Sequence, residues 1–294
     1  MRKEGLQIAI QIQEGVRIER SDTAETHILR LKRVSATAKT GIVLTVTSGT
    51  HTIIEVLEDA VEGGNWDHHV QVIVGEGANV EYVSQQTAGG NAHMTLSHRS
   101  TVANGGSVRW LMATLGGVEV EHTLQSTQEG SNALSDINWL FFAHGKEKQR
   151  LSARNIFAGR DGRGEITMKG VAEGHAHTHC DGMIEIGLKG GGTDTYLTQE
   201  VLMLDTTAKV DAIPGLEIRT NDVKASHSAT VSRVTDEDLF YFAARGIEER
   251  DAKKMFVMGF LRELTEKMQD QTMREALVGA LEAKYERASV VEIR

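Results

Sequence analysis

Val171–Gly187 reads VAEGHAHTHCDGMIEIG, and its alternation sets the terms for the whole chain. On an extended strand, successive side chains point to opposite faces. His175, His177 and His179 therefore share one face, and Ala176, Thr178 and Cys180 share the other. The chemical centre of the stretch is either a row of three imidazoles or the chain's only thiol.

The same period of two runs from Gly5 to Arg233, in QIAIQIQ at Gln7–Gln13, IVLTVT at Ile42–Thr47, HVQVIV at His69–Val74 and VEVEH at Val118–His122. Turn signals separate these runs: Gly63-Gly64-Asn65, Gly75-Glu76-Gly77, Asn104-Gly105-Gly106 and Gly190-Gly191-Gly192. So many short strands exceed what a two-sheet sandwich needs and fit a stack of rungs in a β-helix. The chain has 30 glycines, 1 proline and 5% aromatic residues, which points to tight glycine turns around a thin aliphatic core. No strict repeat is present, so the rungs are degenerate in sequence.

Near Val234 the pattern changes. Thr235-Asp236-Glu237-Asp238 is a helix start, with a capping oxygen and acids in the first turn. A short helix at Leu239–Ala244 ends at Gly246, a second runs from Glu248 to Met268, and a third covers Asp270–Arg287. The tail Ala288–Arg294 reads as a strand or a loose end. The expected organisation is a β domain over 1–234 and a helical domain over 235–294.

Charge and composition remove several classes. The net charge is -9 without a basic block, which argues against a nucleic-acid surface. The N-terminal residues alternate polar and apolar and so lack the apolar core of a signal peptide. No apolar run reaches the ~20 residues of a membrane span. A lone cysteine excludes an internal disulfide framework and fits a reducing compartment, so a soluble cytoplasmic protein is expected.

The histidine row can be weighed as chemistry. His-x-His on one strand can offer two imidazoles to one metal, with Glu185 as a carboxylate. This is similar to the cupin metal motif, although Glu185 stands too far along. A metal-dependent cupin-like or β-helix enzyme using His175, His177 and His179 is one reading, and an ordinary polar strand face is the other. Cys180 is either a small buried hydrophobe or a ligand, and the neighbouring Asp181 does not activate a thiol. There is no G-x-S-x-G elbow and no phosphate loop, so this chain is not expected to bind or hydrolyse a nucleotide. Asp211–Arg233 gathers Asp211, Pro214, Glu217, Asp222 and His227 just before the helices, where a satisfied polar turn is the ordinary outcome.

The residues of that segment carry a resemblance. Ile213-Pro214-Gly215-Leu216-Glu217-Ile218, Asp222–Thr230 (DVKASHSAT), Leu239-Phe240-Tyr241, Arg245-Gly246-Ile247, Asp251-Ala252 and Gly259-Phe260 form an ordered string. The string resembles the C-terminal part of the SufB/SufD family, the scaffolds of the SUF iron–sulfur cluster assembly system. Cys180-Asp181-Gly182-Met183 is similar to the family's C-D-S-M element. Two departures stand out: Ala208 where SufB-type members carry cysteine, and Ser228 where they carry glutamate.

The resemblance implies a right-handed parallel β-helix followed by a small helical domain. It implies a non-enzymatic scaffold that assembles or transfers a transient iron–sulfur cluster. It implies a dimer, with itself or with a SufB/SufD paralogue, joined through the β-helix ends, a homodimer suiting so short a member. It also implies docking of the ABC-type ATPase SufC on the C-terminal helices, which accounts for the missing phosphate loop. Cys180, His227, Asp211 and Asp222 become the implied cluster-binding residues, with Cys180 and His227 foremost because thiolate and imidazole suit iron. On the helices, Phe240, Tyr241, Arg245, Met255, Phe256 and Phe260 are the implied ATPase contacts.

Overall fold

The alternation of the first three-quarters of the chain is realised as two stacked sheets. The computed structural model describes residues 5–87, 89, 91–268 and 270–291. The first sheet runs β1 (Leu6–Glu14), β4 (Thr37–Val46), β6 (Asn65–Val74), β8 (His93–Val102), β10 (Glu119–Gln128), β12 (Lys148–Phe157), β14 (His177–Ile186) and β16 (Lys209–Ile218). The second runs β2 (Val16–Asp22), β3 (Thr26–Arg33), β5 (Thr50–Asp59), β7 (Asn79–Gln86), β9 (Ser107–Thr114), β11 (Leu134–Ala143), β13 (Arg163–Ala172), β15 (Thr193–Met203) and β17 (Val223–Arg233). From β3 onward the chain passes from one sheet to the other at every turn, so consecutive rungs pair in parallel. This is a parallel β-helix. Only the first two strands differ, with β1 antiparallel to β4 and β2 antiparallel to β3.

Register turns the solenoid into columns. One inward column of the first sheet reads Thr40, His68, Leu96, His122, Leu151, Cys180, Ala212. A facing column of the second sheet reads Ile53, Tyr82, Trp110, Ile137, Ile166, Leu197, His227. The interior is not thinly aliphatic as composition suggested. Trp66, Trp110 and Trp139 are all buried in it, so the few aromatics are concentrated where bulk fills the tube.

Repetition lies in the corners instead of the letters. Gly77, Gly105, Asn132 and Asp161 occupy one corner of successive rungs with φ between 55° and 65°. Gly77, Gly105, Asn132 and Asp161 each donate a backbone N–H to a carbonyl of the next rung's corner, at 2.9–3.0 Å. Glycine, asparagine and aspartate all tolerate this left-handed conformation, so the rungs can repeat without a repeated sequence.

Three helices follow: α1 (Asp236–Ala243), α2 (Glu249–Glu266) and α3 (Gln271–Val291). Thr235 caps α1 with a reciprocal bond to Asp238. The third helix extends four residues beyond the expected Arg287, so Ala288–Val291 is helical and forms neither strand nor loose end; residues 292–294 lie outside the described residues. α2 and α3 lie across the outer face of the second sheet. Val257, Leu261, Leu277, Leu281 and Tyr285 meet Ile54, Val83, Leu111, Leu140 and Phe142 in a second core. These strands are therefore covered on both faces, which is why WLFFA at Trp139–Ala143 is continuously apolar. Lys169 ties the helices to the sheet through Glu200 at 2.7 Å and Glu263 at 3.1 Å.

Candidate functional site

β16 and β17 form the last rung, and each has a partner strand on one side only. Their backbone edge and inward face are left uncovered. Ile218 and Val231 stand on that face 41% and 47% exposed, although the positions beneath them in the columns are closed core. The chain's only proline, Pro214, sits in this edge strand, where a missing N–H is tolerated. His227 is the top of the column that runs down through Leu197 and Ile166, and it is exposed because none of the described residues stacks above it.

Cys180 lies one rung lower on the opposite sheet, under Ala212. It is fully buried in the solenoid core, and burial, with the charge of Asp211 as a smaller cause, raises its pKa so that it stays a thiol. Gln199 donates to its backbone carbonyl at 3.3 Å. Thr178 Oγ1 and Gln199 Oε1, on the same interior surface, are buried without a hydrogen-bond partner. Cys180 and His227 thus approach the open end from different sheets and different depths.

The other expected residues sort differently. His177 and His179 do face outward on β14, but His175 is on the corner beside Gly174, ahead of the strand, so the row is two imidazoles and not three. Asp211 joins that outer face, with Oδ2 at 2.8 Å from His177 Nε2 and 3.8 Å from His179 Nδ1. The hydrogen bond from His177 holds the Asp211 carboxyl below its usual range. Asp222 is in the bend before β17, three-quarters exposed and 3.6 Å from Arg160. Glu185 is bound by Arg154 at 3.0 Å near the far end of β14. The solenoid is not a cupin's barrel, and Glu185 does not join the histidines; the cupin-like assignment of these residues has no geometric basis.

On the helices, Phe240, Tyr241 and Met255 are exposed, and Arg245 lies over the Tyr241 ring at 3.5 Å. Phe256 and Phe260 pack against the second core, and Lys169 stands 4.6 Å from the Phe260 ring centre. The apolar face of α2 is therefore shared between internal packing and an exposed margin.

Sequence reading missed a second polar group. Glu55, His68, His98 and His122 are all buried inside the first four rungs. Burial lowers the pKa of His98 and His122 and holds them neutral. Burial alone would raise that of Glu55, but His68 and His98 bring it well below the usual carboxylate range. The signal was available in phase: Glu55 shares its inward parity with Ile53 and Leu57, and His98 shares its own with Met94, Leu96 and Val102.

With that geometry in place, comparison with known proteins is informative. Residues 28–260 match the family model described as SUF system FeS cluster assembly, SufBD core domain. An iron-sulfur cluster assembly SufBD family protein of Mycobacterium leprae is 27% identical over 199 residues, 68% of this chain and 23% of its own length. One of Mycobacterium tuberculosis is 29% identical over 241 residues, 79% of this chain and 60% of its own length. One of Staphylococcus saprophyticus is 27% identical over 199 residues, 68% of this chain and 43% of its own length. The chain thus spans from 23% to 60% of the length of these relatives. Among the described residues no helix is long and apolar enough to cross a membrane.

Proposed function

The chain belongs to the SufBD family of the SUF iron–sulfur cluster assembly system, and from that premise we propose that it is a non-enzymatic scaffold on which a cluster is built or handed on. The observation that carries this reading is the uncovered last rung. An inward face of Ile218, Val231 and His227, with a free backbone edge on each side, suits a second copy or a paralogue placed end to end. Two His227 side chains would then face one seam. Imidazole is a competent iron ligand, and Asp211 and Asp222 are the weaker oxygen donors nearby.

Cys180 enters this scheme only when the last rung moves. A buried neutral thiol is not a ligand, and the thiolate needs a metal or a cation beside it. Lifting β16 would bring Cys180 to the seam. SufC docked on the exposed margin of Phe240, Tyr241, Arg245 and Met255 would supply the ATP-driven movement. Because the helices share a core with the second sheet, force applied there reaches the rungs.

Anaerobic reconstitution with iron and sulfide tests the scaffold. The wild type should develop the charge-transfer absorption of a cluster, and His227→Ala should lose most of it. Unchanged absorption when His227→Ala and Cys180→Ala are combined would sink the ligand assignment. SufC binding that survives removal of residues after Val234 would sink the docking assignment. Native mass spectrometry of the chain co-expressed with SufC reports subunit count, iron and sulfide together.

A further inference from the structure

The first rungs contain a site that the open end does not use. Glu55 on β5 is fully buried and meets three side chains. His68 Nε2 lies 2.7 Å from Oε1; His98 Nε2 at 3.0 Å and Ser84 Oγ at 2.8 Å reach Oε2. The three residues Glu55, His68 and His98 place one ligand atom each within 4.8 Å of one another. Bonds of about 2.1 Å meeting at right angles put neighbouring ligand atoms about 3 Å apart; the two imidazole–carboxylate distances here are 2.7 and 3.0 Å, and all ligand atoms lie within 4.8 Å of one another.

The partners behind the imidazoles matter as much. His68 Nδ1 is 2.5 Å from Thr40 Oγ1, which also accepts from Trp66 Nε1. His98 Nδ1 is 3.0 Å from His122 Nε2, and His122 Nδ1 is 3.4 Å from Thr114 Oγ1, which accepts from Trp139 Nε1. Each chain ends on a threonine hydroxyl that can donate or accept. Without an ion, both chains donate inward and the two Nε2–H groups converge on the carboxylate. With both reversed, each Nδ1–H points outward and each Nε2 lone pair is free for a cation. A metal-bound histidine needs this kind of outer acceptor. Beside the same carboxylate, the Tyr82 hydroxyl is fully buried, and burial followed by the charge of Glu55 raises its pKa; Trp110 Nε1 nearby is buried without a hydrogen-bond partner.

We propose that Glu55, His68 and His98 form a resident site for one divalent first-row transition ion inside the solenoid, remote from the last rung. Two imidazoles and one carboxylate are the donor set used for iron(II) and for zinc(II). Both are borderline cations, and the site as built accepts either. The ion is taken up as the rungs close, because the ligands are sealed in the folded chain. The inference stands apart from the scaffold reading, since it needs neither sulfide nor a second subunit.

The full chain is unfolded in denaturant with a chelator, then refolded anaerobically with cobalt(II), desalted and assayed. About one cobalt per chain is expected, with visible ligand-field bands, and slow loss to external chelator because the site is buried. Glu55→Gln and His98→Gln should each drop the cobalt at least ~10-fold while keeping the β spectrum of the fold. His177→Ala combined with His179→Ala, on the outer face of β14, should bind as the wild type does. Should neither interior variant fold, the chelator rate on the wild type decides: release within mixing time points to an outer site and overturns the proposal. Less than ~0.1 ion per wild-type chain overturns it too, as does loss of cobalt in the outer variant. Refolding in equal iron(II) and zinc(II) then identifies the preferred ion.

Discussion

The two ends of the β-helix use the same columns for opposite purposes. One column begins with Thr40 and His68, passes His122, and reaches Cys180 and Ala212 at the far end. At the start, its imidazoles are closed over by rungs on both sides and satisfied by Glu55, Thr40 and Thr114. At the finish, its thiol has a single rung above it and no polar partner of its own. Burial is nearly the same in the two places, but the number of rungs that must open to reach the group is not. A solenoid ties stability to neighbours, so terminal rungs open far more cheaply than internal ones.

That contrast can be broken in several ways. The largest effect belongs to the closed end. Glu55→Ala strands two buried imidazoles and should cost about 3–5 kcal/mol in denaturant unfolding, against no more than about 0.5 kcal/mol for exposed His227→Ala. Equal losses would mean that the two ends are not energetically distinct. Next comes the lid over Cys180. A thiol reagent should label the native chain ~100-fold more slowly than the unfolded chain, an opening of about 2.7 kcal/mol, and well before global unfolding. Labelling only at the global rate would show that the last rung does not open alone.

Acid reports the same contrast at lower amplitude. His98 and His122 have folded pKa values below the unfolded value of about 6.5, so the unfolded chain binds protons first as pH falls. Their contribution is complete above that pH and is lost below it, by up to about 1.4 kcal/mol per pH unit for each histidine. Unfolding measured in chelator between pH 7 and 5 should show this slope, and His122→Gln should flatten it. The smallest change in stability is expected at the open end. Ile218→Lys with Val231→Asp should alter unfolding by no more than about 0.5 kcal/mol yet convert a dimer to monomer in sedimentation. A dimer that survives both charges is joined elsewhere.

Much of the solenoid was legible because alternation and glycine corners are local properties. QIAIQIQ and IVLTVT declare their faces without help from distant residues. The alternation at Thr178–Cys180 likewise put the thiol on the opposite face from His177 and His179, as found. What alternation could not give was the third coordinate. Which rung is last decides that His227 is exposed and Cys180 sealed, and that is set by stacking. Glu55 and His68 are 13 residues apart on different strands and meet only because β5 faces β6 across the tube. His175 misled for a local reason: Gly174, with φ of 66°, puts a corner where the alternation reads on unbroken.

The antiparallel strands β1 and β2 have a last consequence. They close the first rung with chain running the wrong way for another parallel rung, and their outer residues Glu14, Arg17, Glu19 and Arg20 are charged. Charge on an edge strand discourages pairing. If the last rung pairs as proposed above, the rod is a monovalent unit: that end takes a neighbour, and the antiparallel β1–β2 edge discourages one. Units of that kind stop at a pair, whatever their concentration, where a rod open at both ends would polymerise into a filament.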